Sequence, residues 1–169
     1  QDIGNLSGKV LRINLDGSIP EDNPFPGSPV YTVGHRNPQG LCYAPNGIVY
    51  SSEHGPSTDD EFNVIEPGRN YGWPDVHGFC DLPDEIPLCE ANNVFEPLAA
   101  WTPTVAASDI LYYDHPAIPE WEGRMLMTTL KNKRLYVLEL DESGMAVLGE
   151  DQYFQNFWGR LRDVCMDPD

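Results

Sequence analysis

The stretch KVLRINLDG, residues 9–17, returns as RLYVLELDESG at residues 134–144. After the first copy a gap leads to RNPQGLCYAPNG, which starts at Arg36. After the second, a gap of similar length leads to RLRDVCMDPD, which starts at Arg160. Lys9 to Leu15 alternate polar and apolar residues with period two and stop at Asp16-Gly17, a turn pair. A unit of strand, turn, gap, strand and Pro-Asn/Asp-Gly turn, used twice, is the pattern of successive β-propeller blades. A sandwich gives similar turns but needs no repeat of this length.

The rest of the chain agrees. Gly40–Tyr43 and Ile48–Tyr50 flank the tight turn Pro45-Asn46-Gly47. Further strands are expected at 110–113, 124–128 and 134–140, and no long segment carries a helical period. The fold class is therefore all-β. Cys42 and Cys165 take equivalent places in the two copies and are expected as small buried side chains in matching strands. The second copy stops in mid-turn at Pro168-Asp169. A propeller needs roughly four to eight blades of four strands. The strands here suffice for two to three, so residues 1–169 read as part of a single propeller domain, incomplete at both ends.

Sixteen prolines and fifteen glycines suit many short elements joined by tight turns. A net charge of −17 leaves no basic stripe for phosphates, which excludes nucleic acid as a partner. No run of eighteen apolar residues spans a membrane, and no basic-then-apolar leader opens the chain. Cys80 and Cys89 flank a short loop with two prolines and three acids. We expect a local disulfide there, and with it an oxidising compartment, the alternative being two free thiols. Asn5-Leu6-Ser7 is a glycosylation sequon, a common triplet.

Chemistry concentrates between Gly34 and Val76. An Arg-Asn pair, a His-Gly-Pro turn, an acidic triplet and a Gly/Asn/Trp turn each border a short apolar strand. That is how a rigid β-scaffold presents polar groups from its loops. Asp59-Asp60-Glu61 lack the alternate spacing and sixth-position glycine of an EF-hand. They read as turn and cap residues that brace the His-Gly-Pro loop. On the residues alone, Arg36 and Arg160 fit ion pairs with Glu53 or Asp163 as well as they fit a ligand. Lys131 fits a solvated loop lysine, and His54 a turn histidine bonded to backbone.

GKVLRINLDGSIPEDNPF, GHRNPQGL, SEHGPSTDDEFNVIEPGRNYGWP and GRLRDV resemble, in this order, segments of the soluble PQQ-dependent sugar dehydrogenases. These long motifs cover most of the chain. The EHGP spelling is similar to the aldose sugar branch, since glucose enzymes usually carry Gln in the His position. The resemblance implies a six-bladed propeller that binds pyrroloquinoline quinone (PQQ) and Ca²⁺ at the top of its axis. The cofactor is a flat tricarboxylate quinone, and Arg suits bidentate carboxylate recognition. By resemblance Arg36, Asn37, His54, Lys131, Arg160 and Arg162 match cofactor contacts. The carbonyls of Gly55 and Pro56 match Ca²⁺ ligands, since Ca²⁺ takes six to eight oxygens. A second, structural Ca²⁺ would use Asp81 with the carbonyls of His77 and Phe79, although Cys80 departs from that pattern. Trp101 matches an aromatic along the cofactor plane, set one position earlier than in the glucose branch, and fits ordinary core as well.

The activity implied is oxidation of an aldose at its anomeric carbon to a lactone, with a separate electron acceptor. The general base of the family, a His from an earlier blade, would lie upstream of residue 1. Its loss costs roughly 10²–10⁴-fold. The alternative is a non-catalytic secreted propeller that binds a protein partner, or a fragment with no ligand competence. Four matching cations favour the enzyme. Family and expected disulfide together imply a periplasmic or secreted location, and the oligomeric state stays open.

Overall fold

The computed structural model describes residues 2–167; Gln1 and the expected mid-turn stop at Pro168-Asp169 lie outside them. The first sheet holds two strands, β1 (Lys9–Leu11) and β2 (Val30–Val33). The second holds β3 (Pro38–Tyr43), β4 (Val49–Glu53), β5 (Asp60–Val64) and β6 (Ala99–Trp101). The third holds β7 (Ala107–Tyr113), β8 (Arg124–Thr129), β9 (Leu135–Leu140) and β10 (Val147–Tyr153). Strands pair antiparallel with their chain neighbours, so the second and third sheets are four-stranded meanders. These are two complete propeller blades and part of a third, within the expected two to three.

The repeat now has a structural meaning. β1–β2 and β9–β10 are corresponding hairpins, and Arg36 leads from the first hairpin into β3, the opening strand of the next blade. β3 lies against β7. Ser52 Oγ donates to the Ser108 carbonyl at 3.1 Å, and the Tyr112 amide donates to Cys42 Sγ at 3.3 Å. Between the blades sits one core, built by Tyr50, Phe62 and Val64 from one sheet and Ile110, Met125, Met127, Tyr136 and Leu138 from the other. Each such side chain contributes about 1.5–3 kcal/mol when fully buried. Tyr50 stacks on Phe62 at 5.4 Å and spends its hydroxyl on the Gly144 carbonyl at 2.9 Å. The two blades are thereby tied at their shared face.

Three sequence expectations need correction. The strand foreseen over residues 9–15 ends at Leu11, because its register slips after Val10 and Asn14 folds back onto Ser18. Cys165 is exposed and outside any strand, since none of the described strands pairs with residues 160–167. Cys42 is half-buried in β3, not fully buried. A short helix, α1 (Ile86–Asn92), begins in the loop between the two cysteines, with Pro87 in its first turn and Asn93 ending it in a left-handed conformation. The expected disulfide joins Cys80 to Cys89 and ties this helix to the loop before it. No helix of the described residues is long and apolar enough to cross a membrane.

Candidate functional site

Strand register decides which loops share an end. Val33, Pro38, Glu53, Asp60, Trp101, Ala107, Thr129, Leu135 and Tyr153 all lie at one end of their strands. The connections carrying Arg36-Asn37, His54–Pro56, Thr102–Ala106, Lys131 and Arg160 therefore emerge together. A parity of strands, invisible in any single motif, gathers residues more than a hundred positions apart.

Backbone hydrogen bonds lace these loops to one another. Thr104 N donates to the Ser57 carbonyl at 3.2 Å, Lys131 N to Val105 at 3.1 Å, and Leu161 N to Thr129 at 3.3 Å. The Ser108 hydroxyl adds a 2.9 Å bond to the Leu161 carbonyl. The result is an open cleft of about 390 Å³ lined by His54, Thr104, Ala106, Leu130, Lys131, Lys133 and Arg160. That volume falls in the range of small-molecule sites. Among the described residues no carboxylate lies within ion-pair distance of Arg36, Lys131, Arg160 or Arg162. In a chain of net charge −17 these cations form a local field of opposite sign. The ion pairs that the residues alone allow for Arg36 and Arg160 are not formed.

Arg36 approaches from the neighbouring blade. Its guanidinium donates to the His54 carbonyl at 2.7 Å and lies 5.4 Å from the Trp73 ring centre. Trp73 is held there because the long segment after β5 climbs back to this end, where the Trp73 amide donates to the Gly34 carbonyl at 2.9 Å. Gly34 has φ +82°, and a Cβ would fall 2.2 Å from Asn70 Oδ1. The Arg-Asn loop is also fixed from beneath. Glu53, 4 % exposed, accepts from the Arg36 amide and, at 3.1 Å, from the Asn37 amide. Its other oxygen meets His35 Nδ1 at 2.8 Å, and His35 Nε2 meets Thr32 Oγ1 at 2.7 Å. His35 stacks on Tyr71 at 4.4 Å and is fully committed inside the fold.

The His-Gly-Pro turn hangs on one acid. Asp60, fully buried, accepts from His54 Nδ1 at 2.9 Å, the Gly55 amide at 2.8 Å and the Ala107 amide at 3.0 Å. Asp60 and Glu61 belong to β5 and not to a turn, while Asp59 sits in the turn with φ 57°. The bracing role expected of the triplet is met by Asp60. Gly55 and Pro56 border a cavity of about 10 Å³, room for a single water or ion, with Arg36, Glu53, Asp59 and Glu61 around it. Burial first, and then the Glu53 carboxylate, push Glu61 up to about 7. Among the described residues no three His, Cys, Asp or Glu side chains converge as a metal cage. Any Ca²⁺ at this turn would draw on the Gly55 and Pro56 carbonyls without a cage of three acidic side chains.

The other sequence candidates stand apart from the cleft. Trp101 donates its indole N–H to Glu150 Oε2 at 2.8 Å and sets its ring edge-on to Tyr136 at 5.8 Å, within the inter-blade core. Arg162 is exposed and lines no part of the cleft. Asp81 is exposed, and its amide donates to the Phe79 carbonyl at 2.9 Å. Asn37 passes its carbonyl to the His54 amide at 3.0 Å and its side chain to Gln39 at 2.7 Å. Glu53, Trp73 and Lys133 are not among the sequence candidates. Only the third had a local signal, as a second lysine in LKNK.

The model of the glucose/sorbosone dehydrogenase family matches residues 1–169. Quinoprotein glucose dehydrogenase B of Acinetobacter calcoaceticus is 60 % identical over 227 aligned residues, covering 100 % of this chain and 47 % of that protein. Aldose sugar dehydrogenase YliI of Escherichia coli is 31 % identical, covering 100 % and 48 %. The PQQ-bound aldose sugar dehydrogenase of Streptomyces coelicolor superposes with TM-score 0.80 at 36 % identity, over 96 % of this chain and 43 % of that one. The chain spans about half the length of the curated relatives it matches. Identity to the glucose enzyme exceeds that to YliI, so His54 by itself does not assign the branch. By its matching over its whole length, the chain belongs to the glucose/sorbosone dehydrogenase family.

Proposed function

We propose that this chain supplies part of the PQQ- and Ca²⁺-binding face of a dehydrogenase that oxidises the anomeric carbon of an aldose to the lactone. The observation that carries the reading is the cleft itself, where loops of two blades and the segment after β10 bring His54, Lys131 and Arg160 together. A flat tricarboxylate needs such fixed cations, and these have no carboxylate partners of their own among the described residues. When bound, PQQ supplies the two-electron redox chemistry.

The chain's residues then have distinct tasks. Lys131 and Arg160 would hold carboxylates, Arg162 and Asn37 enter as cofactor contacts by the family resemblance alone, and Arg36 steadies the His54 backbone while adding positive charge. His54 meets a polar edge of the cofactor. The Gly55 and Pro56 carbonyls would hold Ca²⁺, and Asp81 with the His77 and Phe79 carbonyls a second, structural ion. Trp101 serves through the core. His35 is bonded on both ring nitrogens, and neither His77 nor His115 lines the cleft. By the family resemblance, the base for the sugar hydroxyl is assigned to a His of another blade. The electron acceptor is a separate molecule, and the disulfide supports a periplasmic or secreted location.

Titrating the chain with PQQ, with and without CaCl₂, tests this through the quinone absorbance and the thermal midpoint. Calcium-dependent binding that Arg160→Ala weakens about tenfold or more is expected. Absence of binding both to this chain and to a six-bladed protein that contains it would overturn the reading.

A further inference from the structure

Asp60 has no exposed surface, yet it makes three hydrogen bonds, each to a different group at the site end of the fold. Oδ1 takes both His54 Nδ1 and the Gly55 amide, while Oδ2 takes the Ala107 amide of the next blade. The His54 side chain is 29 % exposed, so its partner is inside and its remaining ring edge borders the cleft. A buried carboxylate accepts hydrogen bonds and offers none, which requires the hydrogen of His54 to sit on Nδ1. The same oxygen fixes the amide of Gly55, whose neighbours allow no freedom, since a Cβ there would lie 2.0 Å from the Thr58 carbonyl oxygen.

We propose that Asp60 is a positioning residue for the cleft: it sets the tautomer and aim of His54, seats the Gly55–Pro56 turn, and locks both to the blade of Lys131. This rests on the reading that His54 and the turn face PQQ and Ca²⁺. Asp60 touches neither ligand and acts through the groups that do. Replacement by Asn keeps the shape but turns an N–H₂ toward an N–H donor. One of the three bonds must then fail.

The test is a long-range proton–nitrogen spectrum of the ¹⁵N-labelled chain at pH 8, with His54→Gln identifying the His54 signals. Hydrogen on Nδ1 is expected. Hydrogen on Nε2 with a bare Nδ1 would overturn the assignment, and this measurement needs no Asp60 variant to fold. Asp60→Asn must give up either the Ala107 amide or the Gly55 amide and should weaken PQQ binding in CaCl₂ about tenfold or more. A folded variant with wild-type affinity would equally overturn it. Protonated Nδ1 in a chain that takes no PQQ, alone or within a six-bladed protein, would instead sink the cofactor reading while the Asp60–His54 linkage stands.

Discussion

Glu53 and Glu61 face each other directly across the β4–β5 ladder, and both are buried. Glu53 is bonded to two amides and a histidine. Glu61 has the Gly78 amide at 2.8 Å and Asn63 Nδ2 at 2.9 Å. One acid of the pair is held as an anchor, and the other bears the cost of burial beside it.

That cost makes stability fall with rising pH. Glu61 sits at about 7 in the fold against 4.5 ordinarily. Between those values the folded chain binds more protons than the unfolded one, so stability drops as pH rises through this window and levels off above it. Denaturant unfolding at pH 5 and pH 8 should show the loss, and Glu61→Gln should remove most of it. The expected gain at pH 8 is on the order of 1–3 kcal/mol. An unchanged slope in the variant would show that Glu61 is not the titrating group.

Gly55→Ala places a methyl 2.0 Å from the Thr58 oxygen and 2.5 Å from that of Asp59. The turn must open, and the bonds Asp60 makes to it must lengthen. We expect a loss of about 2–4 kcal/mol in urea unfolding. Gly47→Ala, at a loop with no close side-chain or backbone neighbour nearer than 3.9 Å, serves as the comparison and should cost only its left-handed strain of about 1 kcal/mol.

The Cys80–Cys89 bridge closes a short loop that includes most of α1. Replacing both cysteines by serine should lower stability by about 2–3 kcal/mol, the loop-closure value for a loop of this size. None of the residues lining the cleft belongs to this loop, so its ligand affinity should change by less than twofold. Calorimetry with and without reductant reads the first, and a PQQ titration the second.

Binding at the cleft should depend on salt. Lys131 and Arg160 are solvent-exposed, and exposed charges are screened within about 10 Å at 0.1 M salt. PQQ affinity should fall several-fold between low salt and about 0.3 M NaCl, and Lys131→Ala should flatten that dependence. Equal salt slopes for the two proteins would place Lys131 outside the ligand's field.

The blades were legible because apolar alternation and turn pairs are local signals, written within each strand. β8 and β9 follow the sequence reading within a residue at each end. β2, β5, β6 and β10 were harder, since Asp60-Glu61 at the head of β5 and Glu150-Asp151-Gln152 in β10 look like loop. They are strands because neighbouring strands pair with them. β1 was overextended for the reverse reason. Ile13 and Leu15 carry the strand pattern, but the backbone there turns on Asn14 and Ser18.

By itself the sequence determined the all-β class, the repeat, the family motifs, the disulfide pair and three of the residues that line the cleft, His54, Lys131 and Arg160. Each of these depends on residues adjacent in the chain or on spelling shared with relatives. Only the tertiary structure decided that Lys131, Arg160 and His54 meet while Trp101 and Asp81 stand elsewhere. It also decided that Asp60 and Glu53 serve inside the fold as anchors and that Trp73 comes to lie against Arg36. Those outcomes depend on strand register and on which buried acceptor each loop amide finds, and such pairings join residues too far apart in the chain for any motif to state.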